Sequence, residues 1–108
     1  MTSQNKKLGQ GNIPAEIEVI ATTIREKQKQ SDIALRAMQL LNKYAGQELE
    51  QKYVANDLKQ WLDQTFGRAW QVVIVNGSYF MNFSHEPENS FFFKNQKNIF
   101  LVWKTPSD

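Results

Sequence analysis

The chain has 108 residues, 41% of them hydrophobic and 22% charged, which describes one folded domain, not two and not a disordered polymer. Cysteine is absent, which excludes disulfides, thiolate catalysis and cysteine-based zinc sites, and a net charge of +2 is too small to argue for nucleic acid or an anionic membrane as partner. No apolar run approaches the roughly 20 residues needed to cross a bilayer. Two lysines near the N-terminus are followed by no apolar stretch, so a secretory signal is not expected and a cytoplasmic address is.

Residues 1–14 are polar, contain glycine and show no period, and are expected to form a tail preceding a domain over 15–105. Residues 17–24 are short and β-branched, a first strand. Ile33, Ala34, Ala37, Met38, Leu41 and Tyr44 then recur at spacings of 3 and 4, the mark of an amphipathic helix that Gly46 stops. Leu49, Tyr53, Val54, Leu58, Trp61, Leu62 and Phe66 repeat that period in a second helix, ended by Gly67. Trp61 fits either the core beside Leu58 and Leu62 or a protein-binding surface, where Trp is enriched.

After Gly67 the period becomes strand-like. Residues 70–75 and 78–84 flank Asn76-Gly77, the strongest short-range hairpin signal, because both residues tolerate the positive φ of a type I′ turn. In the second arm Tyr79, Met81 and Phe83 alternate with Ser78, Phe80 and Asn82. From Trp70 to Ser84 no side chain is charged. An uncharged aromatic strand without proline is a hazard at a sheet edge, where its backbone groups template further pairing, so another chain is expected to cover it. Residues 84–89 read as a connection, and 90–94 and 99–104 form a second hairpin around Asn95-Gln96-Lys97-Asn98. The predicted fold class is α+β: a short N-terminal strand, two amphipathic helices, then a four-strand antiparallel region.

Little here points to catalysis. His85 is the single histidine, and in Ser84-His85-Glu86 neighbouring side chains diverge, which makes a local triad geometrically poor. Glu48, Glu50, Asp57 and Asp63 fall mostly opposite the apolar helix face and read as a solvated surface. Gly9-Gln10-Gly11 lacks the strand and helix that a phosphate loop needs, and the two Asn-X-Ser sequons, at Asn76 and Asn82, read as chance. Base stacking by Tyr79, Phe80 or 91–93 is disfavoured, because residues 69–84 offer no Lys beside them and no Arg. No enzyme activity, metal or cofactor is expected.

The order strand, two helices, Trp70-Gln71-Val72-Val73-Ile74, a Gly-Ser-Tyr strand, Ser84-His85-Glu86 and a closing Phe100-Leu101-Val102-Trp103-Lys104 resembles the dynein light chains of type 1. Phe66-Gly67-Arg68-Ala69-Trp70 and Val102-Trp103-Lys104 are similar to the axonemal type 4 branch as well. The resemblance covers about residues 17–104. It implies a homodimer, or a heterodimer with a related light chain, in which strand 78–84 crosses to the partner's sheet, with Gln71, Tyr79, Met81 and Phe83 at the dimer interface. It implies two grooves that take extended peptides of dynein intermediate chains by strand addition, each walled by Phe80, Met81, Asn82, Phe83, Ser84 and His85 with Lys52 from the second helix. The implied place is the cytoplasm and cytoskeleton, in the axoneme of a cilium or flagellum.

The chain departs from the family pattern at Gln51, which replaces an acidic residue before the lysine, at Ala21, which replaces a lysine, and at Gln71, which replaces a histidine whose protonation splits the dimer. The loop around 45–49 is longer, and one extra residue falls near 76–79. Two competing readings are a cytosolic dimerisation adaptor unrelated to motors and a small enzyme or ligand-binding domain that uses the sheet around His85.

Overall fold

The structure, a computed structural model, describes residues 12–78 and 88–106. Strand β1 (Ile17–Thr22) is followed by helices α1 (Lys27–Lys43) and α2 (Glu50–Phe66), then by strands β2 (Trp70–Asn76), β3 (Ser90–Asn95) and β4 (Asn98–Lys104). The strands form one antiparallel sheet in the order β1-β3-β4-β2, so the expected α+β class holds. Of the four strands expected after the helices three are described. The fourth, over 78–84, lies outside the described residues beyond Ser78.

Helix α1 starts six residues before its apolar period becomes visible. Its first turns are docked by polar groups instead: the Gln30 amide donates to the Ile24 carbonyl at 2.6 Å and the Ser31 hydroxyl to the Asn12 carbonyl at 2.9 Å, both side chains being buried. Ile33, Ala34 and Ala37 then face the core, and so do Val54, Leu58 and Leu62, one helical turn apart on α2. Strand β1 ends two residues early because the Thr22 hydroxyl turns the chain, donating to the Ser90 carbonyl at 2.7 Å while accepting the Ile24 N–H at 3.0 Å. Ile24 thereby becomes a core residue outside any strand.

Both helices lie on one face of the sheet. Phe91, Phe93, Phe100, Val102 and Trp70 point into that layer and are fully buried. Trp61 packs edge-on against Phe66 with ring centres 5.6 Å apart, and Phe66 leans on Trp70 at 6.1 Å. Two cations from α1 cover this ladder, Lys29 above Phe66 and Trp70 and Arg36 above Trp61. Trp61 is therefore half-buried against the core while one side still lines the groove between the helices.

The corner after β2 differs from the expected turn. Asn76 stays in the strand, paired with Asn98, and only Gly77 takes a positive φ, of 93°. A type I′ turn centred on both residues is thus corrected to a strand that runs one residue further. The reason is local: the Asn76 side chain donates to the Lys97 carbonyl at 2.9 Å and to Asn98 Oδ1 at 3.0 Å, tying it to β4. The second hairpin closes as expected but more tightly, with Asn95 and Asn98 still paired and Gln96 at φ 56°.

Candidate partner-binding site

Residues opposite one another across antiparallel strands share a face. Phe92, Leu101 and Val73 form one such row across β3, β4 and β2, with Ala21 of β1 at its end. The next rows hold Lys94, Ile99 and Val75 on one side and Ser90, Trp103 and Gln71 on the other. All of these alternate with Phe91, Phe93, Phe100 and Val102, so they lie on the face away from the helices. That outer face is apolar at its centre. Leu101 is 2% exposed between its neighbours, whereas Val73, at the β2 side, is 40% exposed.

The edge of β2 has a defined hydrogen-bonding phase. The Thr105 N–H donates to the Ala69 carbonyl at 2.9 Å, so alternation directs the backbone of Gln71, Val73 and Val75 to β4 and that of Trp70, Val72, Ile74 and Asn76 to the opposite edge. The Trp70 groups on that edge are taken by α2. Asp63 Oδ1 accepts the Trp70 N–H at 2.8 Å, and Lys59 Nζ donates to the Trp70 carbonyl at 3.0 Å and to Asp63 Oδ2 at 2.9 Å. Burial alone pushes the Asp63 carboxyl up, but the Trp70 N–H, the Lys59 ammonium and the Arg68 charge together outweigh it and hold it below the usual carboxylate value of 3.8. The following edge positions, Val72 and Ile74, present N–H and C=O groups at the spacing a further strand requires.

At the far end of β2 a hollow of about 360 Å³ opens between the start of α2 and the β3–β4 turn, lined by Gln51, Lys52, Asn76, Lys97 and Asn98 among others. Gln51 Nε2 donates to Asn76 Oδ1 at 2.7 Å and to Asn98 Oδ1 at 3.2 Å. The residue that replaces the family's acidic group is thus engaged within the chain, beside Lys52, which is exposed.

Among the expected site residues, Lys52 lies at this hollow and Gln71 on the outer face opposite Trp103. Tyr79, Phe80, Met81, Asn82, Phe83, Ser84 and His85 lie outside the described residues. Ala21 sits on the edge strand β1 beside Phe92. Two acidic residues read as solvated surface are not simply that: Asp63 clamps Trp70, and Asp57 accepts the Tyr44 hydroxyl at 2.5 Å, joining α2 to the end of α1. Neither contact follows an apolar period; the nearest signal is an i,i+4 Lys59–Asp63 pair that could equally sit in water. Among the described residues no group of three or more His, Cys, Asp or Glu gathers to hold a metal, and no helix is long and apolar enough to cross a membrane.

The family model described as dynein light chain type 1 matches residues 16–105. The chain belongs to the dynein light chain type 1 family. It is 43% identical over 95 residues to a tegument antigen of Schistosoma mansoni, an alignment covering 88% of this chain and 50% of the relative. It is 33% identical over 97 residues to antigen Sm21.7 of the same species, covering 90% of this chain and 52% of that protein. The chain therefore spans about half the length of the curated relatives it matches.

The dynein light chain-like domain of the Fasciola hepatica calcium binding protein FhCaBP2 superposes on it with a TM-score of 0.82 at 40% identity, over 89% of this chain and 98% of that one. The corresponding domain of CsTAL3 gives a TM-score of 0.77 at 31% identity, over 89% and 99%. The light-chain fold expected from the order of motifs is thus shared by proteins that carry tegument-antigen and calcium-binding names.

Proposed function

We propose that this light chain is a non-catalytic adaptor that dimerises through the outer face of its sheet and holds an extended segment of a partner chain by strand addition at the dimer interface. The observation that carries the reading is Val73, 40% exposed at the β2 end of the apolar row Phe92–Leu101–Val73, on the face of the sheet away from both described helices. Covering an exposed apolar side chain such as Val73 with a second copy is favourable at roughly 25 cal/mol per Å².

The path of the chain supports strand exchange. β2 and β3 both run antiparallel to β4, hence parallel to each other, with Asn76 level with Asn95 at one end of the sheet and Ser90 level with Gln71 at the other. The strand ends that residues 77–89 join therefore lie about 17 Å apart along the strand direction, five residues of strand rise. A strand over 78–84 has that length, and the edge groups of Val72 and Ile74, on this subunit or its partner, are what it would pair with. The groove residues Phe80, Met81, Asn82, Phe83, Ser84 and His85 would then stand beside Lys52 of the other subunit. Two such grooves bind two chains side by side, and bivalency turns weak single contacts into strong ones.

On the family's pattern the bound segments are those of dynein intermediate chains in an axonemal motor. The names of the relatives, a tegument antigen and a calcium binding protein, favour the second reading, a dimerisation adaptor unrelated to motors. Sedimentation equilibrium at micromolar concentration tests the common core: a dimer is expected, and a stable monomer overturns the reading. Mass spectrometry of what co-purifies from the native source separates the two. Dynein intermediate or heavy chains support the motor role, and their absence supports the adaptor.

A further inference from the structure

We propose that Asn76–Gly77 is a self-modification site, held in check by the cluster of amides that surrounds it. Asn76 is the only asparagine in the chain followed by glycine. Gly77 carries no side chain to shield its backbone nitrogen, sits at φ 93°, and has nothing within 4 Å of where a Cβ would stand. Both residues are exposed to water. These are the conditions under which an asparagine side chain is attacked by the next residue.

The chemistry uses this chain and solvent alone. The Gly77 backbone nitrogen attacks Asn76 Cγ and forms a five-membered succinimide. The bond from Cγ to Nδ2 breaks, and Nδ2 leaves as ammonia carrying the proton lost from the Gly77 nitrogen. Water then adds to either succinimide carbonyl and opens the ring to aspartate or isoaspartate at position 76.

In the folded chain the side chain that must react is restrained. Asn76 is the last residue of β2, level with Asn98 of β4. Both hydrogens of Nδ2, the nitrogen that must depart, are engaged, with the Lys97 carbonyl at 2.9 Å and Asn98 Oδ1 at 3.0 Å. Oδ1 accepts Gln51 Nε2 at 2.7 Å. Rotation of Cγ toward the Gly77 nitrogen breaks all three bonds together. Once formed, the product cannot restore them, because a carboxylate has no hydrogen to offer the two acceptors that Nδ2 faced. The corner that joins α2, β2 and β4 would then stay open.

The test is peptide mapping by mass spectrometry of the full chain incubated in mildly alkaline buffer, scoring asparagine, aspartate and isoaspartate at position 76. The urea-denatured chain should convert at this site ahead of every other asparagine, and the native chain about tenfold or more slowly, the factor expected when one or two net hydrogen bonds must break. Gln51→Leu, half-buried in the first turn of α2, should convert several-fold faster than the parent while its circular dichroism is unchanged. Asn98→Ser provides the same comparison from β4 if Gln51→Leu does not fold. In the denatured state Gly77→Ala should lose most of the reaction. Native conversion as fast as in the denatured chain, or folded cluster variants no faster than the parent, would overturn the proposal.

Discussion

Asp63 accepts the backbone N–H of Trp70 across the α2–β2 connection at 2.8 Å, while Lys59, bonded to the same carboxylate, takes the Trp70 carbonyl. A helix thus supplies, through two side chains, the hydrogen bonds that a neighbouring strand would otherwise give to the first edge residue of β2. This fixes where edge pairing begins. Strand addition can start at Val72 and no earlier.

Replacing Asp63 should therefore be costly despite its place on a helix surface. Asp63→Asn keeps an acceptor for the Trp70 N–H but loses the ionic partner of Lys59, an expected loss of about 1–2 kcal/mol. Asp63→Ala leaves the N–H of a fully buried tryptophan without its acceptor, about 2–3 kcal/mol. Urea unfolding at neutral pH measures both, and midpoints equal to the parent's would show that the clamp contributes nothing.

The same carboxylate gives the fold an acid dependence of known sign. Its folded value lies below the ordinary 3.8, so the ionised form is preferred in the native state. The stabilisation is complete above 3.8 and is lost as pH falls through the folded value. The stability difference between the parent and Asp63→Asn should be flat above about pH 5 and should shrink below it. A difference that grows on acidification contradicts the assignment.

Much of this was legible in the residues, for identifiable reasons. The 3- and 4-residue spacing of Ala34, Ala37 and Leu41 names a helix, and the aromatic and β-branched runs after Gly67 name strands, because burial imposes those periods. What burial does not impose was not legible. The reach of Asp63 to Trp70 and of Asp57 to Tyr44 depends on how the elements pack, not on any period along them. The extra strand residue at Asn76 depends on groups contributed by Gln51 of α2, Asn98 of β4 and Lys97 of the turn before it. The two faces of β4 were likewise hidden: Ile99, Phe100, Leu101 and Val102 read as one apolar run, since a strand buried on both sides has no alternation to reveal which residues meet the helices.

That two-sided apolar strand leads to a test of the interface. Val73 is 40% exposed on the outer face, so Val73→Lys should leave the subunit's own fold within about 0.5 kcal/mol of the parent. In a dimer packed on this face the ammonium is buried without a partner, a cost of several kcal/mol. Sedimentation should report a folded monomer where the parent is a dimer. A Val73→Lys dimer as tight as the parent's would place the interface elsewhere.

Gln71 allows the most specific prediction, because it shares the row of Trp103 and Ser90 on that same face and carries no titratable group where the family pattern has a histidine. If two copies meet face to face with these positions near the symmetry axis, an imidazole at 71 would face its own image. Protonating both rings sets two positive charges against each other, so Gln71→His should dissociate as pH falls through about 6.5. His85 is present in both proteins, so the readout is the difference between the two profiles. Sedimentation from about pH 8 to 5 should give a curve for Gln71→His that falls away from that of the parent. Superimposable curves would remove Gln71 from the dimer axis, whatever else the outer face binds.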